Sequence, residues 1–218
     1  VNYLADPNTG EFPIIGIEPI GVPKALAGTA LPFEYGDLDN LRQLFEQNKG
    51  EVAAVIMEPL RSDLPPDGYL EKVKEIAHQN GAMLIFDEVS SGWRTRIGGI
   101  QEYLNVTPDM SVFAKAISNG FPMGVVVGSR ESMELADRLF ISSSYWSDNV
   151  GLAASLTTIN ELIRRESVTR FEELGTKLRD SMREAVNSSG IAAQINGWHY
   201  RCTVDFDLPD EDLRQQVN

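Results

Sequence analysis

Short runs of apolar residues recur along the middle of this chain and alternate with stretches of helical periodicity. The runs span residues 51–57, 82–86, 110–114 and 123–128 and contain few polar side chains. Such runs are typical of strands that are buried on both faces. Because helices separate them, the pattern predicts an α/β fold with a mainly parallel sheet covered by helices on both faces.

Helical periodicity predicts the elements between and after these strands. Asp37 is predicted to cap the first helix, and an amphipathic helix is predicted over 68–79. Two long helices follow over 149–165 and 168–186, and an alternating stretch over 200–206 predicts a strand of a second domain. The apolar residues of the long helices that we expect to face inward are Leu152, Leu156, Ile159, Leu162, Ile163, Phe171, Leu174, Leu178 and Met182.

Composition excludes several classes of partner. The 218 residues include 19 Lys and Arg against 32 Asp and Glu, which gives a net charge of −13. Because this charge repels phosphate backbones and anionic lipid, and no apolar run approaches the ~18 residues of a membrane span, we expect neither nucleic acid nor a membrane as a partner. The single cysteine, Cys202, excludes an internal disulfide and fits a reducing, cytoplasmic compartment. With two distant histidines, His78 and His199, we expect no metal site.

Neither end of the sequence has the features of a natural terminus. The chain begins at Val1 without a signal segment and stops at Asn218 just after an acidic stretch. We therefore expect either a fragment or the ordered part of a longer protein.

Two of the predicted strands end in ionisable residues, Asp87 and Lys115. Ligands of open α/β sheets bind at the carboxyl ends of the strands, so both side chains are candidates for a ligand site. A carboxylate can keep a pyridine nitrogen protonated, and a desolvated lysine can form an imine with an aldehyde. The pair therefore suits pyridoxal 5'-phosphate (PLP), and the glycines that follow Lys115 would let the backbone approach a flat ligand.

Three segments carry a resemblance to a known family. The IFDEV sequence at 85–89, the AKAISNGFPMG sequence at 114–124 and the serine-rich segment at 142–148 resemble the class III aminotransferases. The similarity extends over 21–189 and is greatest to the glutamate-1-semialdehyde aminomutase-like branch. It implies the fold-type-I architecture of PLP enzymes. Residues 1–166 would form part of the large PLP-binding domain, and residues 167–218 would begin a small C-terminal α+β domain.

The resemblance also implies roles for individual residues. Lys115 matches the lysine that holds the cofactor as an imine and moves the substrate proton, and Asp87 matches the partner of the ring nitrogen. Val89 matches a position that packs against the ring. Ser144 matches a residue that binds the cofactor phosphate of the neighbouring subunit, which implies a homodimer with shared active sites. Ser90 departs from the glutamine that many members carry there to contact the ring hydroxyl, although the aminomutase-like branch lacks that glutamine as well.

Other parts of the family site have no counterpart in this sequence. The resemblance places the main phosphate-binding turn and the ring-stacking aromatic residue upstream of Val1. The usual contacts to the substrate carboxylate would lie beyond Asn218. By analogy with the family, the chain therefore carries roughly half of a site.

The functional hypothesis is a PLP-dependent aminotransferase that moves an amino group from a small amino compound to a carbonyl acceptor. A glutamate-1-semialdehyde 2,1-aminomutase-type isomerase and a catalytically inactive scaffold or binding subunit of the same fold are the alternatives. A nucleotide-binding protein is disfavoured because no glycine-rich phosphate loop of the required spacing follows a strand.

Simpler interpretations remain open for each of these residues. Taken alone, Lys115 fits a strand-end lysine that reaches solvent, and Asp87 with Glu88 fits an acidic pair at a helix start. Ser144 fits a helix cap. We expect Glu88 to be structural and His78 to be solvated.

Overall fold

The computed structural model describes residues 23–26, 28–60, 62–142, 145 and 148–207. The chain forms two compact units, Val1–Glu51 with Leu208–Asn218, and Val52–Asp207. In the first unit, helix α1 spans Leu38–Gln47, and the Asp37 carboxylate accepts hydrogen bonds from the backbone N–H groups of Asp39 and Asn40. The predicted cap is therefore confirmed, because Asp37 pairs two of the N–H groups that the first turn of a helix leaves free.

The second unit is built on a four-stranded sheet. Along the chain it contains β1 (Ala54–Met57), α2 (Tyr69–Gln79), β2 (Met83–Asp87), α3 (Gln101–Leu104), β3 (Met110–Phe113) and β4 (Val125–Gly128). The spatial order is β1-β2-β3-β4, and the first three strands are parallel. Strand β4 runs antiparallel to β3. The β3–β4 connection holds only a short 3₁₀ turn, and a parallel return would need a crossover of a dozen or more residues, usually helical.

Helix α2 covers one face of this sheet. Its Leu70, Val73 and Ala77 side chains are buried, as are Leu84 and Phe86 of β2. Side chains alternate between faces along a strand, and the opposite face is more open, since Ile56 of β1 is 58% exposed. The sheet is therefore packed against α2 on one face and is more exposed on the other.

Helices α4 (Arg130–Met133), α5 (Asn149–Arg164) and α6 (Ser167–Ser189) follow the sheet, and the two long ones lie where they were predicted. The predicted burial of their apolar stripe was wrong at several positions, because Leu152, Leu156 and Leu178 are more than half exposed. Helix α5 instead buries the small residues Gly151 and Ser155. Small side chains allow the helix backbone to approach the segment at Pro122 and Met123 closely.

A two-stranded antiparallel sheet of β5 (Ala193–Asn196) and β6 (Thr203–Phe206) ends the described chain. Strand β5 packs on α6. The connection between the two strands is tied to the segment after β1 by hydrogen bonds from Trp198 N–H to the Ser62 carbonyl, 2.7 Å, and from the Tyr200 hydroxyl to the Leu60 carbonyl, 2.9 Å. Within the described ranges, no helix combines the length and the apolar character needed to cross a membrane.

His78 is paired rather than simply solvated. Its Nε2 lies 2.9 Å from Asp109 Oδ2, which also accepts the Leu84 N–H at 2.7 Å. Burial acts to raise the pKa of Asp109, but the hydrogen bonds from His78 and Leu84 outweigh it and hold the pKa below its usual 3.8. Asp109 thereby connects α2 to the start of β3.

Because this pKa is lowered by folding, the carboxylate stabilises the protein above the unfolded-state pKa, and the contribution disappears as the pH falls through the folded-state pKa. We expect Asp109→Asn to lower the free energy of unfolding by about 1–2 kcal/mol near neutral pH. The difference in the free energy of unfolding between this variant and the wild type should become smaller at a pH below 3.8. Urea unfolding of both proteins at a series of pH values from neutral to below 3.8 measures this difference. A difference that stays constant with pH would contradict the lowered pKa of Asp109.

Candidate active site

Asp87 is the last residue of β2, where the parallel strands end. It lies beside Val112 of β3 in the sheet register, so the ends of β2 and β3 are neighbours. The half-buried carboxylate accepts the Val89 N–H through Oδ1 at 3.0 Å. Within the described part of the chain, Oδ2 accepts no hydrogen bond. One carboxylate oxygen is thus fixed by the backbone and the other is available to a ligand.

Lys115 follows β3 and begins the 3₁₀ turn Lys115–Ile117. Its φ of 50° places the backbone in the left-handed region, which costs a non-glycine residue about 1–3 kcal/mol. The side chain is exposed, and its Nζ donates a hydrogen bond to Ser90 Oγ at 2.9 Å. The fold therefore directs the amine back across the sheet edge to the segment that follows Asp87.

Hydrogen bonds hold the segment 88–95 in a compact turn. The Glu88 carbonyl accepts the Gly92 N–H at 2.9 Å, and the Ser91 carbonyl accepts the Thr95 hydroxyl at 3.1 Å. Val89 and Ser90 are half-buried within this turn. Ser144, the remaining predicted cofactor ligand, lies outside the described residues.

Glu88 is fully buried beneath the turn. Its Oε2 accepts the Ile100 N–H at 2.7 Å and the Ser91 hydroxyl at 3.1 Å, whereas Oε1 has no partner among the described residues. Burial raises the pKa of this carboxyl, and the hydrogen bonds from Ile100, Ser91 and Gln101 reduce the rise only in part. A Cβ on Gly99 would lie 2.5 Å from Oε1, so only glycine fits against the carboxyl there. These contacts make Glu88 the link between the two ends of the 88–100 segment, in keeping with the structural role expected for it.

We expect Glu88→Ala to lower the free energy of unfolding by about 3 kcal/mol, because it leaves Ile100 N–H and the Ser91 hydroxyl unpaired at about 1–3 kcal/mol each. Glu88→Gln retains an amide oxygen and should cost less. Since folding raises the pKa of Glu88, its stabilisation is complete below the usual value of 4.5 and is lost as the pH rises through the folded-state pKa. The wild type should therefore lose stability relative to Glu88→Gln as the pH rises above 4.5 in urea unfolding. Parallel pH profiles would show that the carboxyl does not titrate differently in the folded state.

A cavity of about 900 Å³ has Lys115 in its wall. Its walls include the aromatic side chains of Trp93, Phe121 and Phe171, from three separate segments. Glu161 also lines it, but this carboxylate is paired with Arg164 and Arg165, whose hydrogen bonds lower its pKa to about 2. The cavity as a whole is not predicted by the sequence pattern, because its walls come from segments far apart in the chain.

Comparison with known proteins identifies the family. The family described as "Aminotransferase class-III" matches residues 32–215. The chain belongs to this family. The predicted fold-type-I architecture and the predicted cofactor, PLP, are confirmed with it.

Relatives of this member of the class III family include proteins with both predicted activities. The 3-aminobutyryl-CoA aminotransferase of Cloacimonas acidaminovorans (strain Evry) is 36% identical over 204 residues, which is 90% of this chain and 49% of the relative. The glutamate-1-semialdehyde 2,1-aminomutase of Alkaliphilus oremlandii (strain OhILAs) is 41% identical over 182 residues, 78% of this chain and 43% of the relative. The chain thus spans about half the length of these curated relatives.

A solved structure supports the same assignment. The omega-transaminase from Sphaerobacter thermophilus is 32% identical, with a TM-score of 0.78, and the match covers 91% of this chain and 47% of that one. The α/β architecture of the class III aminotransferase chain is therefore shared with an experimentally determined transaminase.

The residues present in this class III chain fit PLP. A primary amine is exposed just after β3, and a carboxylate oxygen that accepts no hydrogen bond from the described residues lies at the end of β2. These are the two groups that a pyridine ring bearing an aldehyde requires from a protein, one for the ring nitrogen and one for the aldehyde carbon. Both groups follow adjacent strands and lie on the same edge of the sheet.

Proposed function

We propose that the protein carrying this chain is a PLP-dependent aminotransferase acting on a small amino compound and a carbonyl acceptor. The observation that carries the proposal is the placement of Lys115 and Asp87 at the ends of adjacent strands, in a chain that belongs to the class III family. The donor leaves as a carbonyl compound and the acceptor leaves as an amine, so the overall exchange needs no external oxidant or reductant.

Each residue has a distinct task in this proposal. PLP supplies an electron sink that stabilises the carbanion formed when a substrate proton is removed. Lys115 Nζ would hold the cofactor at its aldehyde carbon and, when free, would remove and return that proton. Asp87 keeps the ring nitrogen protonated, and Val89 packs against the ring. Ser144 binds the phosphate of the neighbouring subunit's cofactor.

An assembly and a location are part of the same proposal. A shared phosphate contact requires a homodimer, and we place the enzyme in the cytoplasm. The boundary between residues 1–166 of the large domain and residues 167–218 of the small domain stays a prediction.

The proposal is tested on the purified full-length protein. With added PLP, it should show a long-wavelength absorption band. Borohydride reduction followed by peptide mapping should then place the cofactor on Lys115. An adduct on another lysine, or none, would refute the assignment and favour the inactive scaffold.

An aminomutase-type isomerase is the second candidate, favoured by the 41% identity to the Alkaliphilus oremlandii aminomutase. The two activities differ in their need for a second substrate. Supplied with one amino compound and no carbonyl acceptor, an aminotransferase stops after one equivalent of product per active site. An isomerase continues to turn over.

A further inference from the structure

The backbone that carries the Ser90 hydroxyl is held by hydrogen bonds of the turn around it. The Ser90 carbonyl accepts a hydrogen bond from the Arg94 guanidinium, and the turn is closed by the Gly92 N–H to the Glu88 carbonyl. A Cβ on Gly92 would lie 2.6 Å from the ring of Phe113 and 2.8 Å from the Glu88 carbonyl oxygen. The turn therefore packs directly against the last residue of β3, two positions before Lys115.

The lysine approaches this hydroxyl from the other strand. The left-handed backbone at Lys115, with a φ of 50°, directs the side chain toward the turn, and Nζ lies 2.9 Å from Ser90 Oγ. Within the described ranges, Ser90 is the hydrogen-bond partner of the Lys115 amine. A lysine side chain loses up to about 2 kcal/mol of rotamer freedom when it is fixed, so a rigid acceptor decides where an otherwise exposed amine lies.

We infer that Ser90 is a positioning residue for Lys115, whose hydroxyl holds the free amine ready to bind the cofactor aldehyde. The inference rests on the proposed function. When the amine is neutral, donating one hydrogen to Ser90 Oγ leaves its lone pair available for attack on the aldehyde carbon. Attack forms the new carbon–nitrogen bond and expels the aldehyde oxygen as water, so the step requires no other reactant. Ser90 thus contacts the lysine, whereas the glutamine that many family members carry at this position contacts the hydroxyl of the cofactor ring.

The inference predicts a slower attachment of PLP when the hydroxyl is removed. The matched set is Ser90→Ala, Ser90→Thr, which keeps a hydroxyl, and Ser188→Ala on the exposed surface of α6. Cofactor-free full-length protein is mixed rapidly with PLP, and the rate of appearance of the long-wavelength band is recorded. Ser90→Ala should slow this rate by about 3- to 10-fold, the effect of losing one hydrogen bond. Ser90→Thr and Ser188→Ala should stay within about 2-fold of the wild type.

Two additional readouts separate positioning from general damage. The final intensity of the long-wavelength band and the thermal unfolding midpoint of Ser90→Ala should equal those of the wild type, because Ser90 is only half-buried. An unchanged or faster rate in Ser90→Ala, or a Ser90→Thr variant as slow as Ser90→Ala, would overturn the inference and leave the proposed function intact. Failure of the wild type itself to form the band would instead overturn the proposed function, and the inference with it.

Discussion

Replacement of Lys115 by alanine is expected to abolish turnover and the covalent attachment of PLP. In the proposed function, the amine binds the aldehyde carbon and is also the base that moves the substrate proton. A well-placed proton-transferring group contributes up to about 10⁴-fold to rate, so we expect activity to fall by roughly 10⁴-fold or more. The long-wavelength absorption band should vanish, and borohydride should leave no cofactor on the protein.

The control for this variant is Lys72→Ala, which removes an exposed lysine of α2. It should retain the band, the reduced adduct and wild-type turnover. The Lys115→Ala protein should still fold, because the Lys115 side chain is exposed and the hydrogen bond that it makes within the described residues is to Ser90. A folded Lys115→Ala protein with wild-type turnover would refute the assignment of this residue.

The Asp87→Asn variant should lose most activity while retaining its fold. The asparagine side-chain oxygen can still accept the Val89 N–H that now binds Oδ1, so the end of β2 should be unchanged. The negative charge is lost, however, and a carboxylate near a cation typically changes the cation's pKa by about 1–3 units. A ring nitrogen that is no longer held protonated is a weaker electron sink, so turnover should fall by about 10- to 1000-fold.

Steady-state kinetics and the absorption spectrum together test this expectation. The covalent attachment of PLP to Lys115 should persist, because Asp87 takes no part in forming that bond. Asp67→Asn, at an exposed position before α2, is the matched control and should behave as the wild type. Turnover of Asp87→Asn within about 2-fold of the wild type, judged against the 10-fold minimum expected, would exclude Asp87 as the partner of the ring.

The sequence predicted the sheet and the strand ends correctly because strand periodicity and sheet topology constrain each other. Once β2 and β3 are assigned as neighbouring parallel strands, Asp87 and Lys115 must project from the same edge. The reversed direction of β4 was not predicted, since an apolar run has no direction. The length of the connection before it could have indicated the reversal.

Contacts between side chains far apart in sequence were beyond prediction from a single chain. The hydrogen bond from Lys115 to Ser90 depends on a left-handed backbone angle, and periodicity does not encode such angles. The pairing of His78 with Asp109 likewise depends on how α2 is placed on the sheet. The exposed stripe of α5 shows a third limit, because amphipathicity indicates which face is apolar but not whether a neighbour covers it.

At position 115, the left-handed backbone favours glycine for stability, whereas the proposed activity requires lysine. Glycine is the residue that adopts this conformation without steric cost, so a search for more heat-resistant variants would favour glycine at residue 115 and would thereby discard the reactive amine. Substitutions that are meant to raise thermal stability should therefore leave this turn unchanged and be placed in elements remote from it. The same conformation makes a glycine variant attractive as an inert form for capturing bound substrates.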